Sequence, residues 1–397
     1  MSTEDQMTEE MEKITEKKEP PTLMEDFDPK RRELAESYKR IIRKIGRILG
    51  IISLAATLLI IISRITVFLK AQLQTLFTDE ILLIAAFFTI VFIVINIIEM
   101  FISYWTGLRI NRRFGLSKLT TKRWLWRNFK GLMISYGFGL VMIEVAYFIL
   151  RVFPTYWWLI ATIVMVFTTI IIANLAPIVL APIFYKFEPL ENEYPDLAVE
   201  LVKMMEEEKV KSRSFVWKLG KTSTVGNAGI FGMWKSRRII IADTMLEQYT
   251  PTEIKLTLAH ELAHLKHRDL LKSMILGSVS TLIIFYFTDI LYKLIAPYLG
   301  YGAISDIAGL PLLAFCIGIF GFLTDVTTAW YSRRKERQAD EFAFTKIPDV
   351  RAAKSLFIRL ADQNLSDLHP PWYEKIFFMS HPPILERIAH AEAIIKK

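Results

Sequence analysis

Six long apolar stretches constrain the fold of this chain more than any other feature of its sequence. They lie at about 48–69, 81–105, 132–150, 156–180, 271–295 and 307–330, and each is long enough to cross roughly 30 Å of hydrocarbon as a helix. A hydrophobic share of 52% and an aromatic share of 13% indicate that lipid is part of the solvent. The sequence therefore predicts a mainly α membrane protein with about six transmembrane helices.

The distribution of lysine and arginine predicts the orientation of these helices. Basic residues are concentrated before the first stretch, between the second and third, and after the sixth. The opposite loops hold only Lys70, only Arg151 and, at 297–306, none. By the positive-inside rule, both termini and the polar regions are predicted to be cytoplasmic. The net charge of +8 is then explained by cytoplasmic loops, and no nucleic-acid partner is expected.

The polar intervals divide the chain into three predicted parts. Residues 1–40 form a charged N-terminal segment, residues 41–186 a membrane domain with four spans, and residues 187–397 a domain that includes the last two spans. Between 187 and 268, an amphipathic helix pattern is followed by short strand-like runs. This pattern predicts a cytoplasmic α+β domain that is attached to the membrane.

The stretch TLAHELAHLKHRDL, residues 257–270, contains the pattern HExxH. On a helix, His260 and His264 share one face and can bind one metal ion, while Glu261 beside them holds a water. With only six histidines in the chain, a chance match is improbable. The alternative interpretation is a helix with two surface histidines.

The helix that carries this motif has a clear predicted start. Thr250 can cap it, Pro251 suits its first turn, and Glu253 completes a capping box. Neither proline nor glycine follows before Gly277. One continuous helix is therefore expected to run through the motif and into the fifth span.

A catalytic zinc needs a third protein ligand and an open position. The candidates lie in YSRRKERQADEFA after the sixth stretch, where Glu336 and Asp340 are one helical turn apart. Glu336 could bind the ion, and Asp340 could hydrogen-bond the far nitrogen of a ligand histidine. The alternative is a solvated helix face. His267, one turn beyond His264, is expected to be exposed or to lie behind the ligands.

Two further patterns are compatible with peptide hydrolysis. His381 could donate a hydrogen bond to an oxyanion, but Ser380-His381-Pro382-Pro383 also has the pattern of a helix start, and the residues alone do not distinguish the two roles. The run GNAGIF, residues 226–231, could pair with an extended substrate as an added strand, or it could be an ordinary sheet edge.

Taken together, these motifs resemble the CAAX prenyl protease 1 family, polytopic membrane zinc endopeptidases related to the HtpX-like membrane proteases. The resemblance covers about residues 27–388. It rests on NAGIFGMWKSRRIIIADTMLEQYTPTEIKLTLAHELAHLKHRD, SRRKERQADEFA and SHPPILERI, with GLSKLTTKRWLWRNFKGLMISYGFG and APIVLAPIFYKFEPLE upstream. Eukaryotic members begin with an additional span that the six stretches do not include.

The resemblance implies a zincin-like metal site with one Zn²⁺ per chain. Its implied ligands are His260, His264 and Glu336, with Glu261 as the general base. Asp340 is implied to support a ligand histidine from behind.

The resemblance also implies a substrate cleft beside the metal. It matches Asn227 and Ala228 to an edge strand that holds the substrate, and His381 and Arg387 to residues that line the cleft, with His381 taking part in catalysis.

The expected function is that of an integral-membrane zinc endopeptidase, which hydrolyses peptide bonds near the cytoplasmic membrane surface. Its expected partners are membrane lipid and C-terminal prenylated or other membrane-associated peptides. One alternative is an HtpX-like quality-control protease. A second is a non-catalytic metal-binding scaffold or transporter, which Glu261 disfavours because a structural metal site does not need that carboxylate.

Overall fold

The structure is a computed structural model that describes residues 27–396. Within that range, six helices are long and apolar enough to cross a membrane, so the predicted number of spans is confirmed. The helices, in chain order, are α1 (Pro29–Ser63), α2 (Ile65–Gln74), α3 (Glu80–Ser103), α4 (Thr121–Val152), α5 (Trp157–Leu175), α6 (Leu190–Glu193), α7 (Pro195–Glu207), α8 (Asp243–Leu246), α9 (Pro251–Lys266), α10 (Asp269–Ile295), α11 (Leu310–Lys346), α12 (Val350–Gln363), α13 (Trp372–Phe377) and α14 (Ile384–Ile395). Short further helical segments continue α3 to Arg113 and α5 to Phe184.

The first helix differs from the predicted span at both ends. It begins at Pro29, where the Asp28 side chain caps it by accepting a hydrogen bond from the Lys30 amide (2.9 Å). It ends at Ser63, because Arg64 adopts a left-handed backbone with φ 55°. The predicted span at 48–69 crosses this break, because a hydropathy pattern contains no information on the backbone conformation of Arg64. Of the predicted charged segment, residues 1–26 lie outside the described residues.

The N-terminal half of α1 packs on the C-terminal part of the chain. Arg32 Nε donates to Asp362 Oδ1 (2.7 Å), and Arg43 Nε donates to Glu374 Oε1 (2.6 Å). Arg43 also forms an ion pair with Asp367. These contacts join the first membrane helix to α12, α13 and the loop between them.

The strands form one small sheet in the order β1-β2-β4-β3. They are β1 (Phe187–Pro189), β2 (Arg213–Trp217), β3 (Ala228–Phe231) and β4 (Arg238–Ala242). Strands β2 and β4 are parallel, and the other two pairs are antiparallel. Among residues 27–396, β3 pairs only with β4, so its other edge is free within that range, as the predicted substrate strand requires.

The sheet and several helices bury a common apolar core. Ile239 and Ile241 of β4 pack with Leu258 and Leu262 of α9 and with Phe357 of α12, and residues of α6, α7, α8, α11 and α14 belong to the same cluster. All five side chains are at most 1% exposed. This core fixes α9 against α11, and these two helices carry the predicted metal residues.

The predicted continuous helix through the HExxH motif into the fifth span is wrong. Helix α9 ends at Lys266 and α10 begins at Asp269, because Arg268 between them has a left-handed backbone with φ 56°. Arginine at such a position gives no sequence signal comparable to glycine. By contrast, α11 is continuous and carries both the sixth span and the Glu336–Asp340 turn.

Candidate metal and peptidase site

Three predicted ligand side chains converge where α9 crosses α11. The Nε2 atoms of His260 and His264 are 3.2 Å apart. Glu336 Oε2 lies 3.2 Å from His260 Nε2, and Glu336 Oε1 lies 3.5 Å from His264 Nε2. One ligand atom of each residue is within 4.8 Å of the others. The motif on α9 and the carboxylate on α11, 72 residues further along the chain than His264, therefore share one point.

This donor set fits a metal ion. Two imidazole nitrogens face each other across a short distance, and Glu336 Oε2 is buried near histidine nitrogens without a well-aligned hydrogen bond to any described residue. A cation between the three side chains would satisfy all of these atoms. Two histidine nitrogens and one carboxylate oxygen form a ligand set typical of catalytic zinc, which keeps a further position open.

A carboxylate lies behind each of the two histidines. Asp340 Oδ1 is 2.9 Å from His260 Nδ1, at the position proposed for Asp340 from the sequence. Asp269 Oδ2 is 2.8 Å from His264 Nδ1. Sequence reasoning missed Asp269, because that residue reaches His264 only through the break at Arg268. Such carboxylates fix the orientation and basicity of ligand histidines.

Charge inside the site controls the protonation of His260. Burial lowers the pKa of His260, but the carboxylates of Asp340 and Glu336 raise it more, to about 10. A metal ion that binds here therefore has to displace a proton. Burial also raises the pKa of Glu261 above its ordinary value, and the nearby His260 and His264 oppose this rise only in part.

Arg387 forms a two-point ion pair with Asp340. Its Nε and Nη2 atoms donate to the two carboxylate oxygens at 2.8 and 2.6 Å, and its guanidinium lies over the Phe357 ring, 4.5 Å from the centroid. Arg387 also borders the cavity next to the metal residues. Its engagement with Asp340 gives it a supporting role in addition to the cleft-lining role that the resemblance implies.

His381 reaches the metal residues from the loop before α14. Its Nε2 atom lies 3.2 Å from Glu336 Oε2, and its Nδ1 atom lies 2.8 Å from Ser380 Oγ. The side chain is 55% exposed. Helix α14 is capped at Pro383, so His381 is not the capping residue. His267 is half-buried, with its ring against Phe342, and it is not among the three converging side chains.

Two cavities flank the metal residues along β3. The smaller, of about 440 Å³, is bordered by Asn227, Ala228, His260, Glu261 and His381. The larger, of about 880 Å³, reaches Glu261, His264 and Glu336 from the other end of the strand. The metal residues therefore lie between two open spaces.

The family follows from sequence comparison together with this geometry. The sequence model of peptidase family M48 matches residues 191–395, just over half of the chain. The chain belongs to peptidase family M48. A second model, described as CAAX prenyl protease N-terminal with five membrane helices, matches residues 10–186. Among the described residues of that range, four helices are long enough to span a membrane.

Proteins similar to this M48 peptidase occur in bacteria and eukaryotes. The uncharacterized metalloprotease YhfN of Bacillus subtilis is 27% identical over 72% of this chain and 68% of the relative. CAAX prenyl protease 1 of Saccharomyces cerevisiae is 25% identical over 97% of this chain and 91% of the relative. The crystal structure of S. mikatae Ste24p matches with a TM-score of 0.83 at 23% identity, over 96% of this chain and 93% of that chain, which shows a shared fold.

The M48 peptidase is thus a multi-pass membrane metalloprotease of the CAAX prenyl protease 1 family. The predicted family, fold class and enzyme class are confirmed. Members of a protease family act on peptides or proteins, and the metal of this family is usually zinc.

Proposed function

We propose that the chain is a zinc endopeptidase that cleaves C-terminal prenylated or other membrane-associated peptides at the cytoplasmic surface of the membrane. The observation that carries this proposal is that one uninterrupted helix, α11, holds both the sixth span and Glu336. Glu336 is six residues beyond the predicted end of that span, about 9 Å along the helix axis. A peptide tethered to the bilayer would therefore meet the site without leaving the surface.

In this proposal, His260, His264 and Glu336 hold one zinc ion. Zinc would supply a Lewis acid and a bound water of lowered pKa. Asp340 and Asp269 keep the rings of His260 and His264 in place, because each carboxylate faces the Nδ1 atom that is turned away from the ion.

The remaining chemistry is assigned to side chains of this chain. Glu261 lies beside the ligands and borders both cavities, so it can take the proton of the attacking water and deliver it to the leaving amine. His381 is positioned to donate a hydrogen bond to the oxygen of the cleaved carbonyl group. The free edge of β3, beginning at Asn227 and Ala228, would pair with the main chain of an extended substrate.

Lipid attached to the substrate would add affinity and fix its position. Each buried methylene group contributes about 0.8 kcal/mol, so a long isoprenoid chain among the spans could outweigh side-chain contacts near the cleaved bond. We include membrane lipid and a lipidated peptide among the partners for this reason. We also propose that residues 187–397 form the peptidase domain and residues 41–186 the membrane domain that presents the substrate.

The deciding experiment compares matched C-terminal peptides with and without a prenyl group, using the purified full-length chain and Glu261→Gln as the inactive control. We expect the prenylated peptide to have a higher kcat/KM, and we expect Glu261→Gln to lose about 10²–10⁴-fold in rate while retaining zinc. Equal turnover of the two peptides would favour the quality-control protease instead. Unchanged activity of Glu261→Gln would remove this residue as the base.

A further inference from the structure

The larger cavity beside the metal residues carries an excess of positive charge. Among the residues that the structure describes, no carboxylate is within ion-pair distance of four of its basic side chains, which are Lys209, Lys211, Arg237 and Arg268. The cavity also holds four acids, of which Glu261 and Glu336 belong to the metal site and the other two have partners. Glu208 pairs with Lys266 at 2.8 Å, and Asp269 faces His264. An anionic group that enters the cavity would therefore meet cations that have no nearer partner.

Several residues that line the larger cavity have a strained backbone. Five non-glycine residues in 27–396 have a left-handed backbone, and three of them border this one cavity: Lys209 (φ 53°), Trp234 (φ 47°) and Arg268 (φ 56°). Lys209 follows α7 and Arg268 follows α9, positions where glycine is the usual residue because it lacks a Cβ atom. Strain of this kind is characteristic of ligand clamps. Two cations thus occupy positions where glycine would be less strained.

Strand β3 gives the cavity a direction. It runs from Ala228, beside the smaller cavity, to Phe231, next to the Gly232 and Met233 that border the larger cavity. A peptide that pairs antiparallel with the free edge of β3 runs the opposite way. Its residues N-terminal to the cleaved bond would then lie in the larger cavity, and its C-terminal residues in the smaller one.

We propose that the larger cavity is the subsite for the peptide segment N-terminal to the cleaved bond and that it selects acidic segments. This rests on the proposed function, since it takes the metal residues as the point of cleavage. An apolar surface for the peptide is provided by Met233, Trp234, Leu270 and Leu271. The unpaired cations line the same cavity. Ion pairs near solvent are individually weak, so the preference for acidic over basic segments is expected to be about tenfold in affinity and to shrink as salt is added.

Binding to the full-length Glu261→Gln protein tests this inference without requiring cleavage. The probes are fluorescent peptides with one common extended apolar core, flanked by aspartates, serines or lysines on its N-terminal or its C-terminal side. We expect N-terminal aspartates to bind most tightly and N-terminal lysines least tightly. If the parent enzyme cleaves none of these peptides while Glu261→Gln still shows this order of binding, the proposed function would be contradicted; the charge preference of the larger cavity would stand, but not its assignment to one side of a cleaved bond.

Lys209 and Arg268, which have a left-handed backbone, can be replaced by glycine to remove charge without adding backbone strain. Replacing both by glycine, Lys209→Gly with Arg268→Gly, removes two charges and relieves the backbone strain, so the thermal midpoint should stay constant or rise. The preference for N-terminal aspartates should nevertheless fall by about threefold or more. Lys209→Arg should retain the preference. Arg64→Gly is the matched control, because Arg64 is also a left-handed cation (φ 55°) but lies between α1 and α2, and it should leave the preference unchanged.

Three results would overturn the inference. The first is equal affinity for acidic, neutral and basic N-terminal segments. The second is a preference for aspartates on the C-terminal side, which would reverse the assigned direction. In the third, the double glycine variant keeps its peptide preference but loses affinity for short-chain phosphatidylserine, relative to short-chain phosphatidylcholine, when both are added to the protein in detergent. The cations would then serve lipid headgroups.

Discussion

The buried ion pair between Asp340 and Arg387 permits a quantitative test of how the metal site is supported. Asp340 is 2% exposed and Arg387 12% exposed at the side chain, and two hydrogen bonds join them. Removing one partner of such a pair leaves an uncompensated buried charge and costs about 3–5 kcal/mol. Arg387→Met keeps an apolar stem over Phe357, and Asp340→Asn keeps the shape of its side chain. Each single variant should therefore be destabilised by roughly that amount.

The double variant, Asp340→Asn with Arg387→Met, tests whether the two residues stabilise the fold as a pair or independently. With both charges gone, neither leaves the other unpaired and His260 keeps Glu336 at 3.2 Å, so at least about 2 kcal/mol of the combined loss should be recovered. For a domain of this size, about 1 kcal/mol corresponds to about 2–4 °C. In thermal unfolding of the full-length chain in detergent, the midpoint of each single variant should thus lie about 10 °C below that of the parent. The midpoint of the double variant should fall by less than the two single losses added together.

Arg337→Met is the matched control for this cycle. Arg337 lies on the same helix as Asp340 and pairs with Glu386 at 3.5 Å, but its side chain is 50% exposed, so its loss should cost less than about 1 kcal/mol. Zinc affinity gives a second readout, since Asp340→Asn should weaken it by about 10–100-fold. Strictly additive losses would contradict the paired interpretation. A normal midpoint with a raised KM in Arg387→Met would assign Arg387 to the substrate instead.

Three further outcomes are expected. Glu336→Ala should lose zinc, and undiminished zinc by metal analysis would remove Glu336 from the ligand set. With Cys316 replaced, a single cysteine at Ser212 should resist labelling from outside intact cells while one at Ser305 is labelled; the reverse pattern would overturn the cytoplasmic orientation. Hydrogen bonds from Lys266 and Lys346 lower the pKa of Glu208, so Glu208→Gln should cost up to about 1 kcal/mol at neutral pH. That stabilisation is complete above the pKa of an unfolded glutamate, about 4.3, and is lost as pH falls further; a difference from the parent that grows in acid would contradict this assignment.

Local signals in the sequence were sufficient for much of the fold. The six spans follow from hydropathy, and the capping box of α9 forms as the sequence predicts, with the Thr250 amide 2.7 Å from Glu253 Oε2. The carboxylate of Glu253 was not predicted to be buried. It is 0% exposed and accepts a hydrogen bond from Arg359 Nε at 3.1 Å, a partner 106 residues away that no local pattern identifies.

The parts of the site that sequence reasoning missed depend on backbone breaks and distant contacts. Arg64 and Arg268 interrupt helices without proline or glycine, so the propensity rules give no warning of either break. Asp269 can face His264 only because of the second break. Arg387 was matched to the cleft by resemblance, but its pairing with Asp340, 47 residues away, follows only from the packing of α14 on α11.

The contacts of α1 with the C-terminal part of the chain bear on how this protein can be dissected. The family models divide the chain between residues 186 and 191, which suggests a catalytic fragment that could be expressed alone. Such a fragment would lose Arg32 and Arg43, the partners of Asp362, Asp367 and Glu374. Glu374 belongs to α13, seven residues before His381. We therefore expect that the border between the family models is not a boundary of autonomous folding, and that truncation there misplaces the loop that carries His381.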